Sequence, residues 1–153
     1  MQQSQAEALY KATLETHERV LGLEHSRTLL SQNNLASLYS RQGRYSEAEA
    51  LYKATLETFE RVLGLEHPNT LQSQNNLAYL YFQQKRFDET EPLMRQIVAT
   101  SQKMLGTIHP DCANYLHGHA VVLSKLGRAE EARAQAERAA AVREALARRE
   151  QRQ

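Results

Sequence analysis

Residues 48–67 read AEALYKATLETFERVLGLEH. Ala48, Leu51, Tyr52, Leu56, Phe59, Val62 and Leu63 recur at helical spacing, so at about 3.6 residues per turn they share one face. Glu49, Lys53, Glu57, Glu60 and Arg61 occupy the other. The pattern is an amphipathic helix, and the chain has used it before. Residues 6–25 read AEALYKATLETHERVLGLEH, with His17 in place of Phe59 as the single difference. A diverged third copy, TEPLMRQIVATSQKMLGTIH, occupies residues 90–109. The offset is 42 residues each time, without insertion. A fixed period of this size is the signature of a stacked-repeat protein.

Composition agrees with that reading. A stack of 153 residues needs no central core, because each unit buries its apolar face on its neighbours. Apolar content of 41% suits a helical array with much surface. A net charge of +1 argues against a strong electrostatic grip on nucleic acid or on anionic membranes. Cys112 is the single cysteine, so no internal disulfide framework exists. No signal peptide is seen at the N-terminus, and no apolar run approaches the ~20 residues that span a bilayer. The expectation is a soluble cytoplasmic protein.

Taken in order, S-x-x-E pairs at Ser4/Glu7 and Ser46/Glu49, with the variant Asp88/Glu91, read as capping boxes. They predict helices beginning near residues 5, 47 and 89; a fourth is expected near 130, where Ala129 stands at the start and no capping hydroxyl is present. Gly22, Gly64 and Gly106 close the first three. A second helix type follows each stop, over 26–42, 68–84 and 110–126, ended by Gly43, Lys85 and Gly127. Pro68 and Pro110 fit a first helical turn, where a missing amide costs nothing. Pro92 falls four residues into its predicted helix and removes one hydrogen bond. The divisions are a lone helix over 1–25, repeats over 26–67 and 68–109, and a third over 110–153. The last helix carries Ala132, Ala136, Ala139 and Ala140 among arginines, the wet outer face of a C-terminal cap.

Leu35, Ala36, Tyr39, Gly43, Tyr45, Ala48 and Tyr52 are spaced 1, 3, 4, 2, 3 and 4 residues apart in a pattern that resembles the tetratricopeptide repeat, with small residues at helix crossings and large ones around them. Leu77, Ala78, Tyr81 and Phe87 repeat it, as do Leu116, Ala120, Leu123, Gly127 and Ala132 with losses. That repeat is usually about 34 residues long. The longer unit here, with Asn-Asn-Leu-Ala, Glu-Ala-Glu-x-Leu-Tyr and Leu-Gly-x-x-His-Pro, resembles the kinesin-light-chain type. The resemblance implies an all-α, right-handed α-solenoid of antiparallel helix pairs, about three and a half repeats. It implies a protein or peptide partner rather than a reaction.

On a wheel at about 100° per residue, Leu35, Ala36 and Tyr39 lie opposite Leu30, Asn34, Ser37 and Arg41. The first set is core. The resemblance makes the second the lining of a concave groove, since the inner helices (the Asn-Asn-Leu-Ala type) line it in this family. The following repeats then offer Gln72, Asn76, Tyr79 and Gln83, and Asn114, Gly118, Val121 and Lys125. Flanking positions add Asn33, Asn75 and His117, then Ser40, Phe82 and Ser124. An asparagine can bond both the C=O and the N–H of an extended peptide, and the resemblance puts ligand contact at the register of Asn34 and Asn76. Tyr79 and Phe82 would add apolar pockets. The register is broken by Gly118. A structural role competes with this one: the asparagines could bond only between neighbouring inner helices.

Catalysis, cofactors and metals find no support. His25, His67 and His109 recur at the period and belong to the turn before each inner helix. His117 and His119 point in different directions on a helix. His109 and Cys112 lack the further ligands of a structural zinc site. No glycine-rich phosphate loop or oxyanion arrangement accompanies them. The first helix, with Leu9, Tyr10, Leu14, Val20 and Leu21, has no inner helix before it. Its apolar strip, and its near-identity to residues 48–67, predict self-association by stacking or swapping into a homo-oligomer.

Overall fold

The computed structural model describes residues 2–152, with side chains from residue 4 onward. Among these the order is α1 (Gln2–Leu21), α2 (Ser26–Arg41), α3 (Tyr45–Leu63), α4 (Pro68–Gln83), α5 (Phe87–Leu105), α6 (Pro110–Lys125) and α7 (Ala129–Glu150). No strand occurs among the described residues. The chain divides into two compact units, Met1–Leu80 and Tyr81–Gln153.

In the first unit α2 packs between α1 and α3. Leu29, Leu35, Ala36, Leu38 and Tyr39 of α2 are buried with Ala48, Tyr52, Leu56 and Phe59 of α3. In the second, α6 packs against α5 and α7. Val98, Leu116 and Ala139 bring one residue from each of these helices to a shared core, flanked by Tyr115 and Val142. The alanine face of α7 is narrower than the sequence predicts: Ala132 and Ala139 are buried, Ala136 and Ala140 exposed.

The inner helices start by a device the sequence hides. His25, His67 and His109 each turn Nδ1 onto the backbone amide two residues on, accepting from Arg27, Asn69 and Asp111 at 3.2, 3.1 and 3.2 Å. The ring thus takes the part usually played by Ser or Asp, satisfying one orphan amide of the first turn. Their ends follow the glycine reading. Gly43 and Gly127 both have φ of 74°, and Lys85 holds φ of 59° at the equivalent place. The next amide closes the turn in each case, Arg44 onto Tyr39 O, Arg86 onto Tyr81 O and Arg128 onto Leu123 O, all at 2.9 Å.

The capping boxes are a correction. α3, α5 and α7 begin earlier than predicted, with Arg44, Arg86 and Arg128 as N-caps and no side-chain cap bond. Ser46 and Asp88 already lie inside their helices, Ser4 lies within α1, and Pro92 is six residues into α5 rather than four. What fixes the start is an R-x-x-E clamp. Arg44 Nε and Nη2 donate to the two carboxylate oxygens of Glu47 at 2.7 and 2.6 Å. Arg86 does the same to Glu89 and Arg128 to Glu131. A planar guanidinium meeting a carboxylate through two parallel bonds fixes its geometry better than one hydroxyl. The clamp leaves the Glu47 and Glu131 carboxyls below the ordinary range, chiefly through these bonds.

Candidate functional site

The inner-helix row of the first unit is built on α2 and α4. One face of α2 is buried, which turns the opposite face outward: Leu30, Asn34 and Arg41 are exposed. Ser37 is half-buried and bonds the Tyr52 hydroxyl, whose pKa is raised by burial against that bond. On α4, Gln72 is exposed and Asn75 and Asn76 are half-buried. Gln72 Nε2 donates to Asn76 Oδ1 at 3.0 Å, so Asn76 keeps its two N–H donors for another partner. Tyr79 stands one turn further on and is 62% exposed.

Asn33 leaves the predicted set. It is 4% exposed, and its Oδ1 accepts from Ser73 Oγ at 3.5 Å, which ties α2 to α4. Adjacent residues on a helix point about 100° apart, so one asparagine of the pair is structural while Asn34 is free. Ser40 is buried as well and cannot line a surface.

In the second unit, Phe82 is half-buried and packs edge-on against Phe87, with ring centroids 5.5 Å apart. It is part of the α4–α5 turn rather than an open pocket wall. Gln83, Asn114, His117 and Lys125 are exposed and Val121 is half-buried. His117, Val121 and Lys125 meet Ala132, Arg133 and Ala136 of α7 around an open concavity of about 330 Å³. Gly118 has a physical reason: a Cβ there would lie 3.0 Å from Met94 Cε. Met94 packs over the inner helix at the position where the asparagine register stops.

Two sets of residues escaped the sequence reading. The R-x-x-E clamps were visible as a recurrence at the repeat period. A cavity of about 320 Å³ between α5 and α7, with His119 and Leu123 of α6 in its wall, was not. There His119 Nε2 donates to Glu91 Oε1 at 3.0 Å, both side chains being more than nine-tenths buried. Among the described residues no group of three or more His, Cys, Asp or Glu could hold a metal ion. Cys112 is buried, its thiol on Gly106 O at 3.3 Å. No helix among them is long and apolar enough to cross a membrane.

Comparison with known proteins fits this geometry. The model of the tetratricopeptide repeat matches residues 2–61, 27–89 and 69–145. No curated protein matches the chain. Among solved structures, BtubC (BKLC) from P. vanneervenii superposes with a TM-score of 0.86 at 24% identity, over 95% of this chain. The chain spans 58% of the BtubC chain, and at that identity the likeness is one of fold. The nearly identical TPR-like repeats described for Podosopora anserina as those of a kinesin light chain are 30% identical, with a TM-score of 0.82. That match covers 92% of this chain and 67% of the other. A single-substitution form of the same protein gives a TM-score of 0.82 over 66% of its length.

Proposed function

The chain belongs to the tetratricopeptide repeat family, in a kinesin-light-chain-like form with 42-residue units, and on that footing we propose a non-catalytic module that binds a partner peptide along its inner helices. One observation carries the reading: Tyr79, 62% exposed, stands beside donors that no neighbour uses. Asn34 is exposed on α2, and the Asn76 amide is oriented by Gln72 on α4. Such amides grip the backbone of an extended segment, and a rigid exposed ring gives one apolar anchor at little conformational cost. The Ser73–Asn33 bond supports the row from behind by joining the two helices that carry it.

Panning a random peptide library on the full chain tests this. Enriched peptides that lose binding to Asn34→Ala, Asn76→Ala and Tyr79→Ala, at unchanged melting temperature, support the reading. No enrichment, or peptides that bind the variants equally, refutes it.

A second reading is a structural, self-associating array. Leu9 and Val20 of α1, 69% and 67% exposed, favour it. Light scattering over a tenfold dilution tests it, and a single species at 17.5 kDa throughout rules it out.

A further inference from the structure

We propose that the cavity between α5 and α7 is a binding site for a carboxylate-bearing ligand, held by the guanidinium of Arg138. The site shares no residue with the inner-helix row and does not depend on it. Its volume of about 320 Å³ is at the lower end for small-molecule sites, ~300–1,000 Å³.

The repeat supplies an internal control, because the same frame occurs 84 residues earlier on α1, α2 and α3. Part of the frame is constant. Glu91, Arg128 and Glu131 correspond to Glu7, Arg44 and Glu47, and Arg95 to Lys11. The ion pairs match as well: Arg44 reaches Glu7 at 2.9 Å, and Arg128 reaches Glu91 at 3.6 Å. Against that frame, three kinds of change coincide in the third copy.

Space is opened. Leu123 replaces Tyr39, whose ring lies 3.9 Å beneath the Arg44 guanidinium in the first copy. Leu123 puts no ring under Arg128. Charge is inverted. Glu15 and Glu18 become Ala99 and Gln102, while Ala54 becomes Arg138. The first frame carries four acids and two bases, the third two acids and three bases. Polarity enters the wall. Leu35 becomes His119 and Leu51 becomes Gln135.

Arg138 is where these changes converge. Its Nη1 donates to Gln135 Oε1 at 2.9 Å and its Nη2 to Gln102 Oε1 at 3.2 Å. Both partners are neutral amides. They hold the guanidinium across the α5–α7 cleft and leave its charge unmatched. Glutamic acid at residue 102, as in both earlier copies, would neutralise it; glutamine keeps the acceptor and removes the competing charge. A pre-oriented guanidinium with donors to spare suits a carboxylate, which takes paired N–H···O bonds. Arg95, 67% exposed at the side chain and 3.7 Å from Glu91, adds a second cation at the rim.

A carboxylate can arrive on a small free acid or on an acidic side chain of a peptide. Titrating the full ¹⁵N-labelled chain with succinate, and separately with a capped peptide bearing one Glu or Gln, distinguishes the two. Saturable shifts at α5–α7 amides with succinate identify a free acid. Preference for the Glu peptide over both succinate and the Gln peptide identifies a side chain. In either case Arg138→Gln and Gln102→Glu should weaken binding at least about tenfold, while Arg143→Gln leaves it unchanged. Melting curves confirm that these surface variants fold. No saturation by either probe at about 10 mM, or binding indifferent to both cavity variants, overturns the proposal. So does tighter binding of inorganic phosphate than of either carboxylate.

Discussion

The two near-identical stretches invite a reciprocal exchange, Phe59→His and His17→Phe. Phe59 is 0% exposed and heads the fully buried side chains. His17 is half-buried and its Nδ1 shares a 2.8 Å hydrogen bond with Ser31 Oγ. Burying an aromatic removes roughly 150–250 Å² from water, about 4–6 kcal/mol gross at ~25 cal/mol per Å². Histidine recovers part of that contact, but an unpaired imidazole adds a cost of about 1–3 kcal/mol. Phe59→His should therefore cost about 3–5 kcal/mol. At ~2–4 °C per kcal/mol for a chain of this size, the melting temperature falls by about 10 °C. In the other direction, His17→Phe loses one partly exposed hydrogen bond, about 1 kcal/mol, and regains part of it by apolar contact. Its shift should stay within about 3 °C. Circular dichroism at the helix band, with both variants and the double exchange, reads the asymmetry. Equal losses, or a Phe59→His variant melting with wild type, would refute the assignment of one position to the interior and the other to the margin.

Other perturbations follow from single contacts. Lys85→Gly should raise the urea midpoint: a side chain in the left-handed region costs about 1–2 kcal/mol, of which glycine's greater unfolded-state freedom returns about 0.4–1. Gly43→Lys should lower it, and the same sign for both would count against the turn reading. His67→Ala should cost about 1 kcal/mol by thermal melting, and His67→Asn only a few tenths, because asparagine also caps. Acid should weaken the R-x-x-E clamps. The Glu47 and Glu131 carboxyls are depressed mainly by Arg44 and Arg128, and Glu7 by Lys11 and then Arg44. A depressed carboxyl contributes stability that is present above its ordinary pKa and is lost as pH falls through the folded value. The melting temperature should thus be flat near neutrality and decline below about pH 5, less steeply in 1 M salt. A melting temperature unchanged at about pH 3 would sink that account.

What the sequence revealed, and what it withheld, divides on physical lines. Period, helix order and stops were legible because each is local: apolar spacing within a helix, and a glycine at each left-handed turn. Even Lys85 was placed by its register rather than by its chemistry. The helix starts were misread because two local signals compete there. Ser46 with Glu49 has capping spacing, but Arg44 with Glu47 forms two charge-assisted bonds and sets the start earlier. Asn33 and Asn34 could not be separated, since the neighbour that buries Asn33 is Ser73, forty residues on. A wheel for one helix shows the face that meets its partner in the pair. It does not show the edge covered by the next repeat.

The α5–α7 cavity was hidden for a different reason. None of its residues forms a motif, and each alone reads as drift in a worn copy. The frame gives the drift direction. A chain under pressure only to fold would keep leucine where Leu35 and Leu77 stand, because a repeat core rewards apolar burial and penalises a buried imidazole. His119 is 5% exposed, with Nδ1 lacking a partner and Nε2 committed to Glu91. That arrangement costs stability on general grounds. It stands beside a vacated ring, two lost acids and an arginine held by neutral amides, all facing one space. Local rules broken together, inside a frame that keeps them elsewhere, are where a folded chain carries function rather than structure.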